Sequence, residues 1–458
     1  MNASKIDIDD LNYIVSEAMR IHDNFNSKSF KIFLEEEYNR EFSSLGMSID
    51  ATDEYRKKNK KTFPPQIHLS YNSHDTFFKI AQRLIKANHL EMLLSTEELV
   101  SEIKHALYNH IFLEDGTFEQ SGCTKILNKA FKNSNKKMKR QDFFFPVLAL
   151  GLNEKKVKIG VTEIISKNEI LPFLKKDFDT DVLHRAEKFC KSNKFPYLHF
   201  LKVPVSTRSK KSRERVALQV ANFSIGILHV FSEHYGISPK FISISTSPLP
   251  IYDGFFVTKI DNEKYNFNFS SKGKILHSDI FWDKFRMDTK NDIGIILTEL
   301  TTMAIEPTKK STIADRLIDS IYIFSSALQD KDDSSRIVKF TTALERLVSI
   351  SSEKNKSTTT HNFKNRVASL VTVYHGSFEK WSKIAVEMYK VRSDIVHGTW
   401  SLYRGIEPLH VNDYSEITSK AILSACLGFY QRGLESDNND VLVKEFYDFL
   451  VNAVRGKP

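Results

Sequence analysis

Apolar residues along the chain recur with two different periods, and the changes of period divide it into three stretches. From residue 1 to about 140 the spacing is mostly three and four. Leu11, Ile14 and Met19 follow Asp10, and Phe30, Phe33 and Leu34 form a second run, so each predicts an amphipathic helix. Residues 55–61 are a charge-rich connector ending before Pro64 and Pro65, a predicted break. Further helices are predicted over 73–88 and 96–111. The stretch closes with NSNKKMKR (133–140), whose Lys136, Lys137, Lys139 and Arg140 have no acidic neighbour; it reads as a solvated linker in preference to a polyanion contact.

At residue 142 the character changes. FFFPVLALGL is a continuous apolar run. After the polar turn Asn153-Glu154-Lys155, Val157, Ile159 and Val161 alternate with Lys156, Lys158 and Gly160. A period of two marks a half-buried strand, and the two runs together predict a hairpin. Strands are also predicted over 197–205, 241–245 and 254–260, with helices over 181–192 and 212–235. Near residue 309 the helical period returns. Ile313, Leu317, Ile321, Phe324 and Leu328 form one stripe; Ile337, Phe340, Leu344 and Leu347 form the next, behind an Asp333 cap. After the polar loop SSEKNKSTTTH, Asn362 opens a helix with Val367, Leu370 and Val371. Ser377 caps a longer one that ends near His397, and helices over 415–433 and 440–454 follow. The expected fold class is α+β and multidomain: a mostly helical N-terminal region (1–140), a central mixed α/β region (141–305) and a C-terminal all-helical bundle (306–458).

Composition adds bounds. A chain of 458 residues, 41% apolar and 27% charged, suits a folded protein with more than one core. No apolar run approaches ~20 residues and the N-terminus MNASKIDIDD is polar, so neither a membrane span nor a signal segment is expected. Net charge is +9 with pI near 9.0, which favours a polyanion partner such as nucleic acid or an acidic membrane surface; a lysine-rich solvated surface gives the same charge. In SKKSRER (209–215), Lys210, Lys211 and Arg213 are candidate RNA contacts, with a solvated loop as the alternative. Cys123, Cys190 and Cys426 lie far apart, without metal-ligand spacing, as expected of a reducing cytoplasm. The α/β region has no phosphate-cradling glycine loop and no Gly-x-Ser-x-Gly elbow, and the sequence shows no convincing metal cluster, so no cofactor or metal is expected. STSPLPIYDG (245–254) has turn chemistry suited to lining a groove, with no ligand to argue for.

The chemistry concentrates on the helix from Ser377. Phe378, Trp381, Ile384, Ala385, Met388, Val391 and Ile395 recur at steps of three and four, and Arg392 falls on the same stripe. A guanidinium on a packed face must pair with an acid or line a cleft. His397 is followed by Gly398, the usual residue past a helix end, where the negative end of the helix dipole favours a protonated ring. A histidine can move the protons of RNA cleavage, and an arginine can fork onto the phosphate. Tyr389 and Lys390 are candidate RNA contacts or an ordinary helix edge.

Arg83 with His89 and Arg404 with His410 repeat the bare Arg…His spacing, so spacing alone decides nothing. Context does. FTTALERLVSI (340–350), NFKNRVASLV (362–371) and above all YKVRSDIVHGTW (389–400) resemble the HEPN superfamily, most closely the HEPN domain of the ApeA-like group of bacterial defence proteins. The resemblance covers about a third of the chain. It implies a helical bundle, a homodimer through the motif helix, and metal-independent endoribonuclease activity in anti-phage defence. Arg392 and His397 would be the catalytic pair, and Glu345, on the helix that packs near the motif helix in this resemblance, would be a candidate to hold Arg392 by a bidentate pair, with an exposed glutamate in a local helix pair as the equal alternative. Many HEPN motifs carry Asn, Asp or His directly after the arginine; here Ser393 stands there, with Asp394 next, so these two are the candidate supporting residues. By the same resemblance the first two thirds of the chain would sense a phage-derived trigger or a regulatory partner.

Overall fold

The computed structural model describes residues 2–27, 32, 35, 45–50, 66–112, 117–153, 156–170, 180–191, 197–237, 242–244, 252–259, 265–272, 279–307, 310–353, 356–400 and 410–456. The expected run at Phe30, Phe33 and Leu34, the connector 55–61 and most of 245–254 lie outside these residues, as does Arg404. The fold is α+β, and the chain forms two compact units.

The first unit comprises Met1–Gln141 and Ser206–Arg215. It holds α1 (Lys5–Ser27), the antiparallel pair β1 (Leu45–Asp50) and β2 (Gln66–Ser70), α2 (Tyr71–Ala87), α3 (Thr96–Phe112) and α4 (Gln120–Lys137). Helix α1 begins five residues before the expected start at Asp10. Leu11 and Ile14 are buried as expected, but Met19 points outward and Ala18 and Ile21 complete the apolar face. The basic segment 133–140 is not a linker. It is the last turn of α4 running directly into a strand, and Lys137 pairs with the buried Glu102. Arg83, in the second Arg…His pair, is held by Asp7 and Asp10.

The second unit comprises Asp142–Val205 and Val216–Pro458. Its five-stranded sheet has the order β4-β5-β6-β3-β7, with β3 (Lys139–Ala149), β4 (Val157–Ile159), β5 (Thr162–Ser166), β6 (His199–Arg208) and β7 (Ile242–Ile244). The expected hairpin between the 142 and 157 runs does not form. The second run folds on itself instead, pairing Ile159 with Thr162 across Gly160-Val161. Gly160 has φ +59°, and a Cβ there would meet Leu297 O at 2.3 Å, so only glycine permits both the turn and the approach of the helix that carries Leu297. β3 lies between β6 and β7. A separate hairpin, β8 (Tyr252–Lys259) with β9 (Tyr265–Lys272), extends the strand expected over 254–260.

Helices α5 (Thr180–Lys191), α6 (Lys210–His234), α7 (Asp279–Asp288) and α8 (Asp292–Ile305) are followed by α9 (Ile313–Gln329), α10 (Asp333–Val348), α11 (Lys356–His375), α12 (Phe378–Val396), α13 (Val411–Tyr430) and α14 (Asp440–Arg455). α6 is long and apolar enough to cross a membrane, but 78% of its most apolar window is buried inside the protein. One continuous core runs from sheet residues such as Val147, Leu201 and Ile242 to Leu317, Phe340, Val367 and Ile417 of the later helices. The compact units are therefore two, where the sequence suggested three segments. His229 of α6 stitches this core: its ring bonds Ser325 Oγ at 2.9 Å and Ile242 O at 2.9 Å. Gly226, one turn earlier, lets α6 press against Ile321.

Candidate active site

The site is built on the C-terminal end of α10. The stripe Ile337, Phe340, Leu344 and Leu347 buries one face of that helix completely. Asp332 rather than Asp333 caps its start, accepting from Ser335 N at 2.6 Å. The last four carbonyls of a helix have no partner within it, and here other elements supply them. Arg316 of α9 donates from Nη1 to the carbonyls of Leu347 (3.2 Å) and Ser349 (2.7 Å). Arg366 of α11 donates to Val348 O at 3.1 Å, and the Tyr447 hydroxyl of α14 to Leu347 O at 3.1 Å. Ser349 N closes the Glu345 carbonyl at 2.9 Å. Two buried guanidinium groups at the negative end of the helix dipole fix this turn. Neither arginine was singled out in the sequence. The signal was there: Arg316 sits within the buried stripe of α9, the same oddity that marks Arg392.

The turn fixed in this way carries Glu345 against α12. Trp381, Ala385 and Met388 of α12 are buried as expected, and Tyr389, Val391, Arg392 and Ile395 are half-buried. Ser377 occupies the N-cap position, but with φ +58° and no side-chain cap bond; Gly376 at φ +61° precedes it. Arg392 Nη2 donates to Glu345 Oε2 at 3.3 Å. The pair is a single contact, not the bidentate one considered above. Arg392 Nε is buried without a hydrogen-bond partner among the described residues. Burial pushes the Glu345 carboxyl above the usual range, against the pull of Arg392. Tyr389 is raised as well, by burial and by the Glu345 charge, and its ring packs on Phe363 with centroids 4.8 Å apart.

His397 is the C-cap residue of α12, exposed, with its N–H on Ser393 O at 2.9 Å. Gly398 turns the chain at φ +76°. Asp394 organises this end: its carbonyl accepts from Trp400 N at 3.0 Å and its carboxylate from Thr399 Oγ1 at 3.2 Å. Neither Ser393 nor Asp394 bonds Arg392 among the described residues; both shape the turn that carries His397. At ~100° per residue Arg392 and His397 point about 140° apart around the helix, and no hydrogen bond or ion pair links them within one chain among the described residues.

Lys390 lies on the exposed face of α12, in line with Lys383 and His397 at steps of seven. Among the described residues neither lysine has an ion-pair partner. The segment 209–215 divides differently from expectation. Lys210 and Lys211 are exposed, but Arg213 is 3% exposed and donates to Arg208 O and Lys139 O, so it holds structure and cannot meet RNA. His361 bonds Asn365, and His410 stands near Asp413, each within one turn of helix. Cys123 and Cys426 are buried thiols; burial pushes Cys426 up to about 12. Among the described residues no group of three or more His, Cys, Asp or Glu side chains is placed to hold a metal. No family model, no curated protein and no solved structure matches the chain.

Proposed function

We propose that the chain is a metal-independent endoribonuclease of the HEPN type acting in bacterial anti-phage defence, with Arg392 and His397 as its catalytic residues. The observation that carries the reading is the state of Arg392. Its guanidinium sits half-buried on one weak contact, with a donor left over, on the helix whose exposed end is His397. Burying a guanidinium so sparsely partnered is costly, and a substrate phosphate would repay it.

In the reaction, a general base removes the proton of a ribose 2′-hydroxyl. That oxygen bonds the adjacent phosphorus, the bond to the 5′-oxygen breaks, and a general acid protonates the leaving oxygen. The products are a 2′,3′-cyclic phosphate and a 5′-hydroxyl. Arg392 neutralises the charge that builds on the phosphate. One histidine cannot make both proton transfers in the same instant, and Arg392 and His397 diverge on one helix. A homodimer through α12 supplies two of each to one cleft, the arginine of one protomer beside the histidine of its partner. The protein would act in the cytoplasm, released by a phage-derived trigger or a regulatory partner.

The divergence of the pair within one chain favours a second reading, a catalytically silent module that binds RNA or dimerises. Expression in bacterial cells, with and without phage, separates the two. The nuclease reading expects phage-dependent growth arrest that vanishes with Arg392→Ala and with His397→Ala; arrest that survives both substitutions removes it.

A further inference from the structure

The cleavage needs a proton acceptor beside Arg392, and His397 of the same chain points about 140° away around α12. Glu345 borders two spaces: a cavity of 110 Å³ with Glu353, Arg366 and Tyr389, and an open groove of 440 Å³ with Arg346 and Asp440. The cavity is smaller than the roughly 150 Å³ that encloses a benzene ring; the groove has room for a nucleotide. Three carboxylates line them, and two are spent. Glu353 accepts from Arg366 at 2.7 Å and from Asn362 at 3.0 Å, and the Arg366 bond above all holds its carboxyl below the usual range. Asp440 accepts from Ser351 and Ser352, which lowers it likewise. Glu345 is lightly held. Its Oε2 takes the one Arg392 bond at 3.3 Å, and its Oε1 has no partner among the described residues. Both side chains of the pair reach the surface, Arg392 at 25% and Glu345 at 23% exposure. Tyr389 beside them keeps its proton, because burial and the Glu345 charge push its hydroxyl up.

A general base must come within hydrogen-bond reach, roughly 2.6–3.2 Å, of the proton it takes. A phosphate held by Arg392 brings the neighbouring 2′-hydroxyl toward the carboxylate that already touches that guanidinium. The proton affinity suits the task. Burial raises the Glu345 carboxyl above the ordinary glutamate range, against the pull of Arg392, and a base works best when its pKa approaches the working pH. Once the phosphate engages Arg392, that pull is shared and a second negative charge stands nearby. Both effects strengthen the base at the moment it acts.

We propose that Glu345 is the general base of the cleavage, so that Arg392 and Glu345 of one protomer meet His397 of the other as the acid. The O2′–H bond breaks and its proton passes to Glu345 Oε1. The freed electron pair bonds phosphorus, the P–O5′ bond breaks with its pair on O5′, and O5′ takes a proton from the His397 imidazolium. Glu345 then returns its proton to water and His397 regains one. The proposal rests on the ribonuclease reading and assigns the proton acceptor that the reading leaves unnamed; each cut then needs one histidine.

The test is single-turnover cutting by the full chain, in EDTA, of ordinary single-stranded RNA and of the same RNA with sulfur replacing the 5′-oxygen of the scissile bond. A thiolate leaves without a proton, so the sulfur substrate dispenses with the acid and still needs the base. His397→Ala should be slow on ordinary RNA and return to within about threefold of the wild type on the sulfur substrate. Glu345→Gln should stay at least about a hundredfold slow on both, while its RNA affinity changes by less than about threefold. The wild-type rate should fall with pH along an acid limb above the ordinary glutamate range, and Glu345→Gln should lack that limb. Added formate should speed Glu345→Ala by at least about tenfold, a rescue that a merely structural carboxylate does not allow. A folded Glu345→Gln protein within about fivefold of the wild type, or sulfur rescuing Glu345→Gln and not His397→Ala, would overturn the assignment and leave the ribonuclease standing. So would a wild-type rate that holds level as pH drops through the ordinary glutamate range, which needs no variant. A wild-type chain that cuts neither substrate would remove both.

Discussion

Removing the carboxylate that faces Arg392 probes the site without touching Arg392 or His397. At 3.3 Å the pair has a gross attraction of about 5 kcal/mol at an effective dielectric of roughly 20. Most of this is offset by taking two charges partly out of water; both side chains are about three-quarters buried, and burial dominates the raised Glu345 carboxyl. The net coupling should be about 1 kcal/mol. Glu345→Ala leaves the guanidinium unpaired and should cost about 1–2 kcal/mol. Glu345→Gln keeps an acceptor and sheds the buried charge, so it should fall within about 0.5 kcal/mol of the wild type. The folded carboxyl titrates above its unfolded value. Its contribution to stability is therefore full below the unfolded pKa and lost as pH rises through the folded one, and Glu345→Gln should abolish that loss.

The assay is urea unfolding of Glu345→Ala, Arg392→Ala and the double variant, followed by tryptophan fluorescence. Trp282, Trp381 and Trp400 are the three tryptophans of the chain and all lie in the second unit, so the signal reports the unit that holds the site. A coupling below about 0.3 kcal/mol, or Glu345→Gln costing more than Glu345→Ala, would refute the reasoning.

His229 is fully enclosed and its pKa is pushed down to about 4 from 6.5. Because the folded value is the lower one, stability is complete above about 6.5 and is lost as pH falls toward 4, by about 3 kcal/mol in all; urea midpoints between pH 7.5 and 4.5 should drop in the wild type and flatten in His229→Gln. Arg316→Met uncovers the carbonyl end of α10 and should cost about 3 kcal/mol or more, read as a fall in the same fluorescence-detected midpoint. Lys383→Ala and Lys390→Ala should each lower the salt dependence of single-stranded RNA binding by about 0.7 in the log–log slope, measured by fluorescence anisotropy; an unchanged slope would take the RNA off that face of α12.

The helical half of this architecture was legible because its apolar stripes are long and its periods unbroken. All five residues of the α9 stripe and all four named in α10 are buried. What failed was local. The 142–166 region reads as one hairpin because alternation reports which face a residue occupies and not which strand it pairs with; the turn at Gly160 depends on close contact with Leu297 and Thr301, far along the chain. The 133–140 run reads as a linker because charge says nothing of the partner a lysine finds, here Glu102. At the site, Arg392 on a packed stripe was readable from helical geometry, whereas Glu345 as its acid came only from the family resemblance, because helical period does not say which helix packs on which. The enclosure of Arg213 was not readable, since its partners are backbone carbonyls of Lys139 and Arg208. The cavity beside Glu345 was equally hidden, as it is lined by residues of α10, α11 and α12 brought together by the fold.

The most direct measurement is cleavage of single-stranded RNA by the purified chain in EDTA, with analysis of the product ends. The proposed chemistry predicts 2′,3′-cyclic phosphate and 5′-hydroxyl termini, and a loss of at least about a hundredfold in rate with Arg392→Ala or His397→Ala while the far-UV spectrum is unchanged. Undiminished cutting by a folded His397→Ala protein, or tight RNA binding with no cutting at all, would contradict it.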